Sequence, residues 1–462
     1  MTRLIPNLDF LTGDFEFGPE VARGGNAIIY NVLRCSPDLG DPTSLIARRP
    51  MFFDPTWGAL WDVPRFNQGV RHMAALMEAK ELTIYRTLPA HPHILHPVAV
   101  VYSEFRDSEG NGGRIPMHTL FPRCICNLEQ YMRNNRTGLS FELSVRAFLC
   151  DVLDGLAHLR RHNVLHRDLK AENVLLRNVI GITRPVATIC DLGEARDFAR
   201  MQGAPTAGIG SPIIMAPEAT GTVYGLERDM WSFGCMCLDI LSAIHGGPNV
   251  LGALYALFQR QGTMNITPEH IASFLDTLPY LSNDDYSLLG RSFIQECLSI
   301  DPRVRPQPDA WSQRRDFVIN ALRGGDDACA LVCDSILLMS CNAATPDSVQ
   351  WLCSSICNMI DGTVYDDQRR DVFATASVRD AIVRIAPHAT TPGSVQWLCG
   401  SICHMTKGTV NVDQRRDVFA IASVRDAIVR IAPHATTPDS VSVVRRVQDG
   451  VGRGTNPLET NL

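Results

Sequence analysis

Lysine is nearly absent from this chain of 462 residues. Only Lys80, Lys170 and Lys407 are lysines, so 40 of the 43 basic side chains are arginine. Long apolar stretches are absent too: no run approaches the roughly 18 residues that a membrane-spanning helix requires, and the first residues lack the apolar core of a secretory signal. The net charge of -6 gives no electrostatic reason to expect nucleic acid or an anionic membrane as a partner.

The chain is long enough for two or three domains and apolar enough to fold. Hydrophobic residues make up 45% of it and charged residues 20%, proportions typical of globular proteins. Its 15 cysteines follow no regular framework. Because no export signal accompanies them, we expect reduced thiols in a cytoplasmic protein.

One stretch, residues 166 to 173, carries the clearest chemistry. It contains Asp168, which can accept a hydroxyl proton, then Lys170 and Asn173, and a second acid, Asp191, follows after two short apolar runs that predict a pair of strands. Mg²⁺ takes hard oxygen ligands, with one or two from the protein when nucleotide phosphates and water supply the rest. Asn173 and Asp191 are therefore candidate ligands of a magnesium-nucleotide site.

The sequence His166-Arg167-Asp168-Leu169-Lys170-Ala171-Glu172-Asn173, followed by Asp191-Leu192-Gly193, resembles the catalytic and metal-binding loops of eukaryotic protein kinases. The resemblance implies a bilobal fold, ATP and Mg²⁺, and transfer of the γ-phosphoryl group to a protein hydroxyl. Asp168 would orient and deprotonate the acceptor, and Lys170 would neutralise the transferring phosphoryl group. Asn173 and Asp191 would hold the metal.

The glycine-rich loop of that family has a weaker counterpart near the N-terminus. The family pattern G-x-G-x-x-G-x-V binds phosphate through backbone N–H groups that glycine leaves accessible. Without the downstream motifs this segment would be interpreted as a plain hairpin turn. The pattern's fixed positions fall here on Ala22, Gly24, Ala27 and Ile29.

The next predicted strand falls where the family has V-A-I-K. In Leu45-Ile46-Ala47-Arg48-Arg49 the resemblance places Ala47 against the adenine ring and Arg49 at the position of the lysine that grips the phosphates. Arginine keeps the charge, but its planar fork is longer and oriented differently from an ammonium.

Residues 66–88 have the apolar period of a helix and lead into His91-Pro92-His93-Ile94. This resembles the family's αC helix and its H-P-N-I turn. Glu81 is the candidate partner of Arg49, with Glu78 as second choice; outside this context either would be interpreted as part of a solvated helix face. Strands are predicted near 96–104 and 115–121, and a helix over 141–162.

Further motifs extend the resemblance towards the activation segment. Gly210-Ser211-Pro212 precedes Ala216-Pro217-Glu218, and Lys170 together with Ser211 is the serine/threonine-kinase arrangement. Thr206 is the candidate phosphorylation site by position, or else an ordinary solvated threonine. Structural roles are implied for five residues: His166 in the catalytic loop, Arg167 as a phosphate-binding cation, Asp229 as the holder of that loop's backbone, and Arg305 as the partner of Glu218.

The C-terminal part repeats itself with a period of 46 residues. The segment 345–390 recurs as 391–436 with only eight differences, and a third copy begins at Thr437. Each copy predicts three short helices, at 348–359, 368–376 and 378–385 in the first, which resembles armadillo repeats and predicts a groove for a protein or peptide partner. The pair Cys353 and Cys357, repeated as Cys399 and Cys403, is interpreted as small buried side chains at a repeat seam, with zinc as the alternative.

The predicted fold class is α+β: a bilobal kinase fold followed by a short all-α, armadillo-like solenoid. The predicted boundaries are a tail at 1–14, a kinase domain at 15–322 with its lobes meeting near 122, repeats at 326–445 and a disordered tail at 446–462. The predicted function is that of a serine/threonine protein kinase using ATP and Mg²⁺. The alternative is a pseudokinase scaffold that binds partners without efficient phosphotransfer.

Overall fold

The chain divides into two compact units in the computed structural model. The first comprises Met1–Tyr131, His158–Asn178 and Ala187–Met236, and the second comprises Met132–Ala157, Val179–Val186 and Cys237–Leu462. Within these limits the structure describes residues 9–11, 14–23, 27–50, 53–54, 58–59, 81–106, 112–134, 139–179, 182, 184–199, 208, 210–221, 225–247, 249–281, 290–308, 329, 333–334, 336–337, 340, 343, 345–360 and 366–452.

The first unit contains a six-stranded sheet in the order β1-β7-β8-β4-β3-β2. Its strands are β1 (Asp9–Leu11), β2 (Glu16–Arg23), β3 (Ala27–Arg34), β4 (Leu45–Pro50), β7 (Ala99–Arg106) and β8 (Gly112–Pro122). The short strands β5 (Phe53–Asp54) and β6 (Gly58–Ala59) pair separately. The strands predicted near 96–104 and 115–121 are confirmed as β7 and β8.

Alternate side chains of this sheet form one apolar core, because successive residues of a strand point to opposite faces. The buried members of the core are Phe15, Val32, Leu45, Ala47, Ala99, Val101 and Leu120. Residues 9–11 fall within the predicted N-terminal tail, but in the structure they form β1 and pair in parallel with β7.

Short strands and turns surround the catalytic motif. They are β9 (Cys126–Asn127), β10 (Val164–Leu165), β11 (Val174–Arg177), β12 (Val186–Ile189) and β13 (Arg196–Asp197). The two predicted strands after the catalytic loop are confirmed as β11 and β12, which form a small sheet with β9. Of the predicted helix at 66–88 the structure describes residues 81–87, which are helical.

Helices make up most of the remaining described chain. Their bounds are α1 (Leu128–Asn134), α2 (Leu139–Arg161), α3 (Arg228–Ile244), α4 (Val250–Gln261), α5 (Pro268–Asp276) and α6 (Arg291–Cys297). The helix α2 is the one predicted at 141–162. No helix among the described residues is both long enough and apolar enough to cross a bilayer.

The two complete repeats consist of three helices each, as their sequence predicted. The first has α7 (Pro346–Ile360), α8 (Asp366–Phe373) and α9 (Ala376–Ile385), the second has α10 (Pro392–Met405), α11 (Val412–Phe419) and α12 (Ala422–Ile431), and the third contributes α13 (Pro438–Gly452). The predicted disordered tail at 446–462 is wrong for its first seven residues, because α13 continues to Gly452.

The first helices of the three copies pack against one another, α7 on α10 and α10 on α13. Cys353, Cys357 and Cys399 are buried at this seam, and Cys403 is half-buried. Burial raises the pKa of the Cys399 thiol to about 12, so it is protonated at neutral pH and behaves as a small apolar side chain.

Within the second unit a buried ion pair lies beside a backbone hydrogen bond that links kinase-like residues to the segment preceding the first repeat copy. Arg184 donates to both carboxylate oxygens of Asp151, at 2.6 and 2.7 Å, and its backbone N–H lies 3.3 Å from the carboxylate of Asp334. All three residues are buried. The repeats therefore share a compact unit with part of the kinase-like sequence.

Candidate active site

Hydrogen bonds to its backbone hold the candidate catalytic loop, residues 166–173, in place. The carboxylate of Asp229 accepts hydrogen bonds from the N–H groups of His166 and Arg167, at 2.7 and 2.9 Å. Arg167 has a left-handed backbone with φ 72°, and its guanidinium donates to the carbonyl of Glu194. His166 Nε2 lies 2.9 Å from the carbonyl oxygen of Cys190, next to Asp191. These bonds fix the position of Asp168, the next residue in the chain.

Asp168 lies at the centre of a polar network. Its Oδ1 accepts from the hydroxyl of Ser211 at 2.6 Å and from the Ser211 N–H at 2.8 Å, while its Oδ2 accepts from Lys170 Nζ at 2.7 Å. Lys170 Nζ also donates to Ser211 Oγ at 2.9 Å. Burial raises the pKa of Asp168, but the bonds from Lys170 and Ser211 outweigh it and hold the pKa below its usual value. The carboxylate is therefore anionic at neutral pH.

Gly210 allows the activation segment to reach this network. Its φ is +102°, and an added Cβ would come within 2.3 Å of the carbonyl oxygen of Arg167. A residue with a side chain could not adopt this approach without moving the catalytic loop. Glycine here therefore brings Ser211 against Asp168.

The two candidate metal ligands are brought together by the strands that follow the loop. The Cys190 N–H donates to the carbonyl of Asn173 at 2.9 Å, which places Asn173 beside the residue before Asp191. The amide Nδ2 of Asn173 donates to the carbonyl of Asp168 at 2.8 Å, so its carbonyl oxygen is the atom that remains for a cation. Asp191 adopts the left-handed region with φ 63°. One carboxylate and one amide oxygen form a hard donor set that fits Mg²⁺.

The basic residue that pairs with Glu81 is Arg48. Arg48 Nη1 donates to Glu81 Oε2 at 2.6 Å, and Nη2 lies 3.3 Å from Asp191 Oδ1. The predicted pairing of Arg49 with Glu81 is wrong, because β4 runs one residue out of step with the predicted alignment to V-A-I-K. The alternative partner Glu78 lies outside the described residues.

The same shift moves Ala47. On β4 the side chains of Ala47 and Arg49 share one face, opposite to Arg48. Ala47 is fully buried in the sheet core, and burial together with the nearby Arg49 lowers the pKa of His118 to about 4. Placing Ala47 on the face of Arg48 was therefore wrong, and it is Ile46 that lies on that face of β4. The core-facing pair Leu45 and Ala47 was the sequence signal that could have identified this register.

The segment that resembles the glycine-rich loop lies between two antiparallel strands, β2 and β3. Ala22 pairs with Ile29 across β2 and β3, and Ala27 pairs with Pro50 of β4. Gly24 lies outside the described residues, as does Thr206 of the activation segment. Glu218 belongs to the first unit and Arg305 to the second, where Arg305 is buried and donates to the carbonyl of Ser299 at 2.9 Å. Their pairing stays a prediction.

Comparison with known proteins identifies the family. The protein kinase domain family matches residues 70–315, which is more than half of the chain. The chain belongs to the protein kinase family. It is a protein kinase of the eukaryotic type, and in this chain the α+β kinase region is followed by an all-α region.

Individual relatives match the kinase region in part. The serine/threonine-protein kinase SMU1 of Mycosarcoma maydis is 37% identical over 172 residues, covering 36% of this chain and 20% of that protein. The meiosis induction protein kinase IME2/SME1 of Saccharomyces cerevisiae is 26% identical over 200 residues, covering 40% and 30%. The serine/threonine-protein kinase TAO1-A of Xenopus laevis is 29% identical over 177 residues, covering 36% and 15%. The matched segment thus spans less than a third of each relative.

Proposed function

We propose that this kinase transfers the γ-phosphoryl group of ATP to serine or threonine hydroxyls of a protein substrate. The network of Asp168, Lys170 and Ser211 is the observation that carries the proposal. It joins the candidate base, a cation and a hydroxyl of the activation segment within 3 Å. Two of the relatives, SMU1 and TAO1-A, are named serine/threonine-protein kinases, which agrees with the acceptor class.

Asp168 would act mainly by orienting the acceptor. Because its pKa is lowered, its carboxylate is a weak base, and the loose transition state of phosphoryl transfer requires little proton removal before the phosphoryl group departs. An incoming hydroxyl would take the place of Ser211 Oγ as a donor to Oδ1. Lys170, bound to the other oxygen, is positioned to balance charge on the transferred group.

Arg48 would serve as the phosphate-binding cation, with Glu81 holding its guanidinium. Asn173 and Asp191 would hold Mg²⁺, which when bound supplies neutralisation of the β- and γ-phosphate charges. Ile46, on the same face of β4 as Arg48, is the candidate contact for the adenine ring.

The repeats would bind a protein or peptide partner, in the way that stacked helical repeats present an extended surface. An armadillo-like groove and a cytoplasmic location stay part of this proposal. The repeat length and the three helices per copy support the groove, and the cysteine usage supports the location.

A second candidate function has one observation in its favour. The guanidinium of Arg48 contacts Asp191 as well as Glu81, so it occupies an acid that catalysis needs for the metal. A chain in which that contact persists would bind partners as a pseudokinase scaffold.

A phosphotransfer assay separates the two functions. Purified wild type and Asp168→Asn would be incubated with radiolabelled ATP, Mg²⁺ and a general serine/threonine substrate protein, and thermal unfolding would be followed with and without Mg-ATP. Catalysis predicts that Asp168→Asn lowers transfer by about 10² to 10⁴-fold while nucleotide stabilises both proteins. Nucleotide stabilisation of the wild type without any transfer supports the scaffold, and absence of both overturns the kinase proposal.

A further inference from the structure

The two complete repeats have nearly the same sequence but different neighbours. In the first repeat, Asp367 on α8 accepts hydrogen bonds from residues of the second repeat. Its Oδ2 accepts from the N–H and the hydroxyl of Thr409, at 3.1 and 2.9 Å, and its Oδ1 accepts from Arg415 at 2.8 Å. These bonds, that from the Thr409 backbone first, hold the pKa of Asp367 well below its usual value. One carboxylate thus binds both ends of the segment Thr409 to Arg415.

Three more side chains of the first repeat contact the second. Asp371 accepts from Arg415 at 2.8 Å and from Asn411 at 3.0 Å. Arg370 donates to the carbonyl of His404 at 3.1 Å, and Arg379 to that of Val418 at 3.4 Å. The stacking face of the first repeat is therefore made of Asp367, Arg370, Asp371 and Arg379.

The second repeat carries the same four side chains at the same spacing. Its stacking face consists of Asp413, Arg416, Asp417 and Arg425, each 46 residues after its counterpart, and all four are exposed. The side chain of Asp413 is 96% exposed, and that of Arg416 is 55% exposed against 11% for Arg370. Val429 on α12 is 64% exposed, whereas its counterpart Val383 is half-buried. Among the described residues, no segment covers this face as the second repeat covers the first.

The first repeat shows what such a face binds. Its ligand is a Gly-Thr turn followed six residues after the threonine by an arginine on a helix, the segment Gly408 to Arg415. Glycine is required because its φ is +115° and a Cβ there would lie 1.8 Å from Asp367 Oδ1. The arginine matches a pair of carboxylates, and the turn supplies N–H donors to one of them.

We propose that the stacking face of the second repeat binds a helical segment of a partner protein with this chemistry: a Gly-Thr turn and an arginine that enters between Asp413 and Asp417. A second copy of this chain does not supply it, because Arg415 is 2% exposed and Arg369, its counterpart in the first repeat, is also buried. The third copy carries Gly454 and Thr455 at the same 46-residue spacing, but Asn461 stands where the arginine would be, so it lacks the cation that the two carboxylates match. The inference deepens the proposed binding role of the repeats and is independent of phosphotransfer.

The test uses the full-length chain and a labelled synthetic peptide with the sequence of residues 406–436. Binding is followed by fluorescence anisotropy for wild type, for the double variant Asp413→Asn/Asp417→Asn, and for a charge-matched control, Asp38→Asn/Asp439→Asn, whose acids are also exposed. The expected result is binding to wild type and control, with at least a tenfold higher Kd for the double variant. A peptide carrying Arg415→Ala should lose affinity to a similar extent.

A second measurement covers the case in which the free peptide does not fold. The sequence of residues 407–437 is grafted in place of residues 453–462, where the tether raises its effective concentration. If the proposal holds, the chain with the graft should unfold at a higher temperature than the same chain with alanine in place of the graft's Arg415 counterpart. The double variant Asp413→Asn/Asp417→Asn should remove this difference in unfolding temperature.

Three results would overturn the proposal. The first is an absence of arginine dependence in both formats. The second is self-association of the chain that depends on Asp413 and Asp417, which would make a second copy the occupant. The third is peptide binding only after removal of residues 453–462, which would assign the face to the chain itself. Phosphotransfer by the double variant should equal that of wild type in every case, so failure of the kinase proposal is seen separately.

Discussion

Two arginines of this chain each lie between two carboxylates, one in the candidate active site and one between the repeats. Arg48 contacts Glu81 and Asp191, at 2.6 and 3.3 Å. Arg415 contacts Asp367 and Asp371, both at 2.8 Å. The local charge pattern is the same, but the surroundings are not.

The difference lies in the burial of each guanidinium and in the groups that its terminal nitrogens bind. Arg415 also donates to the backbone carbonyls of Asp367, Lys407 and Val410, and its side chain is 2% exposed. Arg48 is 16% exposed, and one of its two acids, Asp191, is 38% exposed and is also a candidate metal ligand. A buried cation whose two terminal nitrogens bind carboxylates and carbonyls stabilises structure, whereas a cation with an exposed partner that also serves as a candidate metal ligand can bind a substrate phosphate instead. The comparison therefore predicts that Arg48 serves activity and Arg415 serves stability.

The largest expected effect is on activity at Arg48. Arg48→Met should lower kcat/KM for ATP by about 10² to 10³-fold, because it removes a preorganised charge from the phosphate site. Steady-state phosphotransfer at varied ATP concentration measures this. Arg49→Met is the matched control on the same strand, and it should leave kcat/KM within about threefold of wild type.

Arg48→Lys sharpens the same point. A lysine makes a point contact instead of a fork, so it should keep Glu81 and release Asp191 for the metal. Transfer by Arg48→Lys should equal or exceed that of wild type. Equal losses of kcat/KM in Arg48→Met and Arg49→Met would show that the contact with Glu81 does not identify which arginine binds the phosphates.

The motif around Arg48 also marks the limit of what the sequence could predict. The candidate catalytic loop and the candidate metal ligand Asp191 were predicted from residues close together in the chain, so their spacing alone was enough to relate them. The position of the phosphate-binding cation depends on which face of β4 enters the core, and two adjacent arginines make both registers chemically acceptable. Only the burial of Ala47 against other strands decides between them.

The repeats teach the same lesson in another way. Their period and helix positions followed directly from the duplicated sequence. The four residues of the stacking face are the same in both copies, however, and so carry no information on which face is covered. The contrast between Asp367 and Asp413 arises from neighbours in space, which the sequence of a single copy does not contain.

The next effect concerns stability at Arg415. Arg415→Met should lower the free energy of unfolding of the repeats by about 3 kcal/mol, since it leaves two carboxylates and three carbonyls without their buried donor. Native-state hydrogen exchange of the slowest amides of α8 and α11 measures it. Arg416→Met, one residue away and 55% exposed, should change stability by less than about 0.5 kcal/mol. Comparable losses in the two variants would contradict a structural role specific to Arg415.

Glycine substitutions test the close approach that surrounds Arg415. Gly408→Ala should cost about 2 kcal/mol, because φ is +115° and the new Cβ would collide with Asp367. Gly400→Ala, in the middle of α10 with no atom within 4 Å of the added Cβ, should instead stabilise by about 1 kcal/mol through helix propensity. Thermal unfolding of the two variants should therefore shift in opposite directions, and a shift in the same direction would refute the assigned contact.

The smallest effect separates the two regions by pH. In the first unit, burial and the neighbouring His162 lower the pKa of His158 to about 3, and burial lowers that of His96 to about 4. Unfolded histidine titrates near pH 6.5, so between these values the unfolded state binds more protons. Stability of this unit should rise with pH across that window, by up to about 1.4 kcal/mol per pH unit for each histidine, and level off above it.

The contact of Arg415 with Asp367 and Asp371 should depend on pH in a different range. The depressed pKa of Asp367 contributes stability that is present above about pH 3.9 and is lost only as the pH falls further. Hydrogen exchange at pH 7 and pH 5, corrected for intrinsic rates, should show lost protection around residues 91–96 and 158–166 but not around α8. His158→Gln should remove one histidine's share of the slope in the first unit. A pH dependence that is uniform across both regions would show that the buried histidines are not its source.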